Sequence, residues 1–215
     1  MSRNEERDVY YLPMSGPQAA YQKLFRDVVE PTAGELDFVI HPKGDEQPAI
    51  DIHVYRNPTA CYLVTVGMSL EQSPGTATGL RRAELVWKTV ADTSDRPTLE
   101  RLALLLHRAA MSPFRDNFAI APGHTISDTA SGALLTGLGM YGVIFVPAES
   151  NIPFAAALSR AIEPGELLET IELTKEELER AERTRDTQVL IALAREIRAA
   201  RPAYDIGADR AIYSS

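Results

Sequence analysis

Residues 60–68 read ACYLVTVGM, a nearly continuous apolar run that is rich in β-branched side chains. A run of this kind is typical of a central strand that is covered on both faces. Three further strands are predicted near it, over residues 36–40, 49–55 and 82–90. Because most of the connections between these segments have the length of a turn, antiparallel pairing is favoured.

Two helices are predicted to flank these strands. Ser15-Gly16-Pro17 places a proline at a helix start, and Pro31 is expected to end that first helix. An apolar stripe over residues 95–111 predicts a second helix that packs on the sheet. Residues 112–128 are expected to be irregular, apart from a short strand at 118–121.

The last third of the chain contains two more candidate strands and a helix start. Residues 140–146 are apolar and predict a buried strand, and residues 167–173 are the second candidate. Thr174 followed by Glu177 forms a capping box. It opens either one long helix or two helices broken near residues 186–187.

The order of these strands and helices indicates an α+β fold, with a mixed, largely antiparallel β-sheet packed with helices. The length of 215 residues suits one domain. We expect this domain to span residues 1–215, with residues 1–15 as a flexible N-terminus. A last strand is predicted at residues 211–213.

Composition excludes several classes of protein. The formal net charge is −8, which argues against broad nucleic-acid binding, because such binding requires clustered Lys and Arg to neutralise phosphates. Cys61 is the only cysteine, so no internal disulfide and no Cys-rich zinc site is possible. The charged start MSRNEERD lacks the apolar part of a secretory signal, and no apolar run approaches the roughly 20 residues that span a bilayer. We therefore expect a cytoplasmic protein that does not associate with membranes.

Residue spacing gives no support for a metal or cofactor site. The chain has four histidines, which are His41, His53, His107 and His124. None of them stands at HxxxH or HExxH spacing, so no metal and no cofactor are expected. His53 shares the more polar face of its strand with Asp51, and only a tertiary contact would assemble a site there. No GxSxG elbow, SxxK pair or glycine-rich phosphate loop is present.

Residues 121–126 read APGHTI and place His124 straight after a Pro-Gly turn. A general base held on a loop would look like this, with Asp116 or Asp128 orienting its ring. In the alternative, the imidazole and the Thr125 hydroxyl bond backbone groups of a long loop. Because no nucleophile or metal ligand is evident nearby, we favour a structural or partner-contacting role, and we assign no catalytic residue.

Eight motifs, taken in order along the chain, resemble the suppressor-of-fused domain family from about residue 20 to the end. They are DIHVYRN (51–57), YLVTVGMS (62–69), RRAELVW (81–87), PTLERLALLLHRAA (97–110), DNFAIAPGHTI (116–126), MYGVIFVP (140–147), LLETIELTKEEL (167–178) and DRAIY (209–213). The most specific part of the set is GMS followed by AEL and later by GHTI.

The resemblance implies a single-domain α+β fold that binds a protein and has no catalytic set. Animal members have two domains and hold a short peptide as a strand in the cleft between them, whereas this chain resembles only the first domain. Single-domain bacterial members are thought to be immunity proteins encoded beside toxins. The resemblance therefore favours a non-enzymatic protein-binding domain that neutralises a cognate toxin.

Two other interpretations stay open. One is a peptide-binding adaptor or regulator, similar to the N-terminal domain of animal suppressor of fused, that acts through a sheet edge or through residues 112–128. The other is a hydrolase that uses His124 with Asp116 or Asp128. Because binding groups tend to lie on irregular loops, we expect the partner-binding surface to include Asp116, His124 and Thr125.

Overall fold

The computed structural model describes residues 17–41, 48–71, 82–91, 95–116, 119–127 and 140–203. The N-terminus expected to be flexible (1–15), the strand predicted at 211–213 and Asp128 all lie outside these residues.

The described residues form seven strands that join in one sheet. The strands are β1 (Glu35–Ile40), β2 (Asp51–Arg56), β3 (Ala60–Val66), β4 (Ala83–Val90), β5 (Thr125–Ser127), β6 (Gly142–Pro147) and β7 (Glu166–Leu173). Their order across the sheet is β1-β2-β3-β4-β7-β6-β5. Among these strands only the pairing of β4 with β7 is parallel, which confirms the predicted mixed, largely antiparallel sheet.

Five helices of the described chain pack around this sheet. They are α1 (Pro17–Ala33), α2 (Arg96–Asp116), α3 (Ala155–Ala161), α4 (Lys175–Glu182) and α5 (Thr187–Ala200). A short 3₁₀ turn at Met68–Leu70 follows β3. None of the described helices combines the length and apolarity needed to cross a bilayer.

Strand β3 is central, as residues 60–68 predict. It pairs antiparallel with β2 on one side and with β4 on the other, and all its residues are buried. Leu63 packs with Trp87 and the apolar face of α2, while Val64 packs with Phe25 of α1 on the opposite face. Burial of each such side chain contributes about 1.5–3 kcal/mol, so the two layers fix β3 in the middle of the core.

A third apolar cluster lies at the other end of the sheet. Ile144 of β6 and Ile171 of β7 pack there with Ala194 and Ile197 of α5. The cluster positions α5 against β7 and against β6, which is hydrogen-bonded to the APGHTI loop.

The helix that starts at Thr174 does break in two, and each part has its own cap. The Thr174 hydroxyl accepts from the Glu177 N–H while the Glu177 carboxylate accepts from the Thr174 N–H, which confirms the capping box. Asp186 caps α5 by accepting from the N–H groups of Gln188 and Val189.

The predicted helix stop at Pro31 is wrong, and a second proline, Pro113, also lies inside a helix. Helix α1 passes Pro31 and ends at Ala33, before Gly34 with φ of 100°. Helix α2 passes Pro113 and ends at Asp116. Pro113 has no N–H for the Ala109 carbonyl four residues earlier, but the Ser112 hydroxyl donates to that carbonyl at 2.7 Å, so the lost hydrogen bond is replaced.

Two expectations for residues 112–128 are wrong. Residues 112–116 are helical, and the described residues 119–121 form no strand. The short strand of this region is β5, which follows the APGHTI turn and pairs with β6. Helix α3 was not predicted, because a run of seven residues is too short to show a clear helical period.

The more polar face of β2 is buried beneath α1 and does not face solvent. Asp51 is only 1% exposed and accepts from Gln22 Nε2 of α1 at 2.5 Å, and its Oδ1 lies 2.9 Å from Nδ1 of His41. His53 Nδ1 lies 3.1 Å from the Tyr55 hydroxyl. Burial lowers the pKa of His53 to about 4, so the ring is neutral at physiological pH.

Candidate functional site

The APGHTI loop begins with a tight turn over residues 121–124. The His124 N–H donates to the Ala121 carbonyl at 3.0 Å. Pro122 occupies the second position, where its fixed φ is favoured, and Gly123 occupies the third position with φ of 85°. These features define a type II turn, in which the third residue needs the positive φ that glycine adopts without strain.

The His124 ring takes part in folding this loop. Its Nδ1 accepts from the Ala121 N–H at 3.3 Å, which places the ring proton on Nε2. Two backbone bonds then join the loop to β6, because Gly123 N–H donates to the Phe145 carbonyl at 2.7 Å and Phe145 N–H donates to the His124 carbonyl at 3.0 Å. Of the two roles considered for His124, the geometry provides the structural one.

A groove of about 440 Å³ lies between this loop and the start of α5. We call it the APGHTI groove. Its buried lining is apolar and consists of Ile120, Phe145 and Leu190, next to the half-buried Ile126. Its exposed lining is polar and consists of His124, Thr125, Arg185 and Thr187. An apolar floor with a few polar groups around it is the usual make-up of a binding pocket.

Gly123 allows the close approach between the loop and α5 that forms one end of the groove. A Cβ at this position would lie 3.3 Å from Thr187 Cγ2 and 3.4 Å from Leu190 Cβ. The Asp186 cap fixes the first turn of α5 at the same place. The groove therefore depends on two segments that are far apart in the sequence.

Arg185 gives the APGHTI groove a positive rim. Its side chain is exposed and forms no ion pair with the residues that the structure describes. None of the described residues that line the groove is acidic. The rim thus carries a cationic group in a chain whose net charge is −8.

Strand β5 places backbone groups beside the groove at one end of the described sheet. The His124 carbonyl bonds to β6, and successive residues of a strand direct their backbone groups to opposite sides. The N–H and C=O of Thr125 therefore point away from β6, towards the side of β5 on which the described residues form no further strand. An open strand edge of this kind is a template for another extended segment.

The structure brings two of the three predicted partner-binding residues to this groove. His124 and Thr125 both line it, whereas Asp116 is exposed at the last position of α2 and does not. Asp128 lies outside the described residues. Arg185, Thr187 and Leu190 were missed, because nothing in the local sequence shows that α5 packs beside the APGHTI loop.

Two other kinds of chemical site are a reactive cysteine and a metal centre. Cys61 is buried in β3, and burial raises the pKa of its thiol, as is usual for a free cysteine that packs as a small apolar side chain. Within the described parts of the chain, no three His, Cys, Asp or Glu side chains are grouped so that they could hold a metal ion.

The GMS and AEL motifs meet at a buried carboxylate. Glu84 of β4 is fully buried, and its Oε1 accepts from the N–H groups of Gly67 and Ser69 at 3.1 and 2.9 Å. The Thr65 hydroxyl donates to Oε2 at 2.5 Å, and the Tyr21 hydroxyl donates to Oε1 at 3.2 Å. These four donors tie the turn after β3 and helix α1 to β4, so the two motifs are in direct contact in the fold.

Comparison with known proteins places the motifs in a family. The family model described as "Suppressor of fused protein (SUFU)" matches residues 46–203, a range that includes the APGHTI groove and Glu84 with its donors Thr65, Gly67 and Ser69. The chain belongs to the suppressor of fused family. Among curated proteins, no sequence matches this suppressor of fused chain.

A solved structure shares the fold of this suppressor of fused chain. It is described as "the Sufu-Fu complex crystal structure" and aligns with a TM-score of 0.54 at 14% sequence identity. The alignment covers 81% of this chain and 82% of that one. At this level of identity the match shows a common fold.

Proposed function

We propose that this chain is a non-enzymatic protein-binding domain whose partner docks at the APGHTI groove and along the open edge of β5. The observation that carries the proposal is the APGHTI groove itself, in which an apolar floor, a polar rim and outward-pointing backbone groups meet. The solved relative is described as a complex of Sufu with Fu, which supports a protein as the ligand class.

Docking would combine main-chain and side-chain contacts. An extended segment of the partner pairs with the N–H and C=O of Thr125, in the manner of strand addition. Its side chains alternate between the two faces of the new strand, so that one of them enters the apolar part of the groove. Backbone pairing supplies affinity, and the groove supplies selectivity.

The partner that fits this proposal best is a cognate toxin, which makes the chain a cytoplasmic bacterial immunity protein. Neutralisation requires a stoichiometric complex and no chemical step. The observed geometry agrees with this, because His124 Nδ1 is engaged by the Ala121 N–H and Asp116 does not line the groove. A peptide-binding adaptor would use the same surface, with a short linear segment as its ligand in place of a folded toxin.

Replacement of Thr125 by proline tests the docking edge. Thr125→Pro removes the outward N–H, and we expect it to abolish co-purification with the toxin encoded next to the gene and to abolish protection of co-expressing cells. Thr125→Val keeps the N–H and should behave as wild type. Because proline is tolerated on strand edges, the stability of Thr125→Pro should stay within about 1 kcal/mol of wild type.

Full protection by a folded Thr125→Pro variant would place the docking surface elsewhere. A peptide array separates the two partner types. Binding of a short linear epitope as tight as that of the whole partner favours the adaptor, and binding of the folded partner alone favours the immunity protein.

A further inference from the structure

We infer that the APGHTI groove selects a partner segment in which a bulky apolar side chain stands next to a carboxylate. The inference rests on the proposed function and names the chemistry of the segment that this site accepts.

The floor of the groove determines the apolar part of the segment. Ile120, Phe145 and Leu190 present hydrocarbon surface to the cavity of about 440 Å³, and no charged group belongs to this buried part. An inserted charged side chain would lose its hydration there without gaining a partner. A Leu, Ile, Met or Phe side chain gains free energy in proportion to the apolar area that it removes from water.

The rim determines the charge of the neighbouring residue. Among the residues that the structure describes, Arg185 is the cation that lines the groove, and none of the described lining residues is an acid that would neutralise it. The adjacent Asp186 carboxylate accepts from two N–H groups at the start of α5, so it is already engaged. A guanidinium binds a carboxylate with two parallel hydrogen bonds, which an amide or a lysine cannot reproduce.

The open edge of β5 fixes how the two side chains are presented. Pairing with Thr125 holds the segment extended, and adjacent residues of a strand then point to opposite faces. The apolar residue enters the groove while its neighbour stays at the exposed rim, within reach of a long arginine side chain. A segment with a basic residue at that neighbouring position is repelled by Arg185.

Fluorescent peptides of one extended, Thr- and Ser-rich background test this selectivity. The central pair is Leu-Glu, Leu-Gln, Leu-Lys or Ala-Glu, and fluorescence anisotropy measures binding to the whole chain. We expect Leu-Glu to bind at least about tenfold more tightly than each of the others. Arg185→Glu should reverse the preference between Leu-Glu and Leu-Lys. Arg183→Glu, an exposed charge reversal outside the groove, should leave it unchanged.

Equal binding of Leu-Glu and Leu-Lys, a preference that survives Arg185→Glu, or no binding by any peptide would each overturn the inference. The proposed function is tested separately with the toxin itself. If Arg185→Glu captures the toxin as tightly as wild type, the selectivity inference fails while the protein-binding function stands. If neither wild type nor variant captures it, the proposed function fails.

Discussion

Glu84 joins helix α1, strand β3 and the turn after β3 to strand β4 through hydrogen bonds. Its carboxylate is one of 30 acidic groups in the sequence, and nothing in its local pattern distinguishes it from a surface carboxylate. In the structure it is fully buried and accepts four hydrogen bonds. Loss of hydration outweighs these donors and raises the pKa of Glu84 to about 7.

The raised pKa makes stability depend on pH in a defined direction. Between the ordinary value of 4.5 and about 7, the unfolded chain releases this proton while the folded chain keeps it. Glu84 therefore lowers the free energy of unfolding as pH rises through this range, by about 3 kcal/mol in total. Glu84→Gln has no proton to release in this range. The free energy of unfolding of Glu84→Gln minus that of wild type should therefore be about 2 kcal/mol larger at pH 8 than at pH 5.

Urea unfolding at the two pH values measures this difference. Glu100→Gln, at a half-exposed position on α2, serves as the control and should show no such gain. A constant difference between Glu84→Gln and wild type at pH 5 and pH 8 would show that Glu84 does not bind its proton more tightly in the folded state.

Some individual residues of the APGHTI groove could be predicted from the sequence. The sequence predicts His124 and Thr125 as partner contacts because they belong to a segment expected to be an irregular loop, where binding groups tend to lie. Asp116 was selected on the same ground, but the extra turns of α2 carry it away from the groove. Arg185 could not be selected, since its contribution depends on a packing contact between Gly123 and α5.

The first turn of α5 links local stability to the docking surface. Asp186 caps this helix, and Arg185, Thr187 and Leu190 around it line the APGHTI groove. Thr174 caps α4 in a comparable way, but it does not line the groove. A variant of each cap therefore allows a comparison between loss of helix stability at the groove and the same loss away from it.

Removal of either cap should cost about 1 kcal/mol of stability. We expect Asp186→Ala to weaken toxin binding as well, because the start of α5 loosens at the groove. Thr174→Ala should leave toxin affinity close to wild type. Thermal unfolding and a binding titration on both variants check this, and equal affinities would show that the groove does not need an ordered α5 start.

The elements themselves were predictable where their pattern was strong. The apolar runs of β3, β4, β6 and β7 and the stripe of α2 require burial, and the structure provides it. The three residues of β5 and the seven of α3 are too short for a period to show. The parallel pairing of β4 with β7 joins segments far apart in sequence, and no local pattern encodes such a contact.

Across the whole molecule, a buried charged cluster connects α5 to the sheet. Arg198 Nε lies 2.8 Å from Glu169 Oε1 of β7, and its Nη1 lies 3.6 Å from Glu172 Oε1. All three side chains are less than 10% exposed. Asn151 donates to both carboxylate oxygens of Glu169. The cluster fixes α5, and with it one wall of the groove, to the central strands.

Truncation of Arg198 would leave two carboxylates buried without their cation. Arg198→Ala should therefore lower the free energy of unfolding by about 3–5 kcal/mol. Arg195 lies on the same helix as Arg198 and forms an exposed ion pair with Glu149. Arg195→Ala should therefore lower the free energy of unfolding by less than about 1 kcal/mol. Chemical denaturation compares the two, and similar losses would mean that the buried cluster does not anchor α5.

We propose that the chain acts by forming a stoichiometric complex with its partner through the APGHTI groove and the edge of β5. Isothermal titration of the purified chain with the proposed toxin partner tests this directly. We expect a saturable one-to-one complex for wild type and Thr125→Val, and no measurable binding for a folded Thr125→Pro. Absence of binding by the wild-type chain, together with no protection of cells that express the toxin, would contradict it.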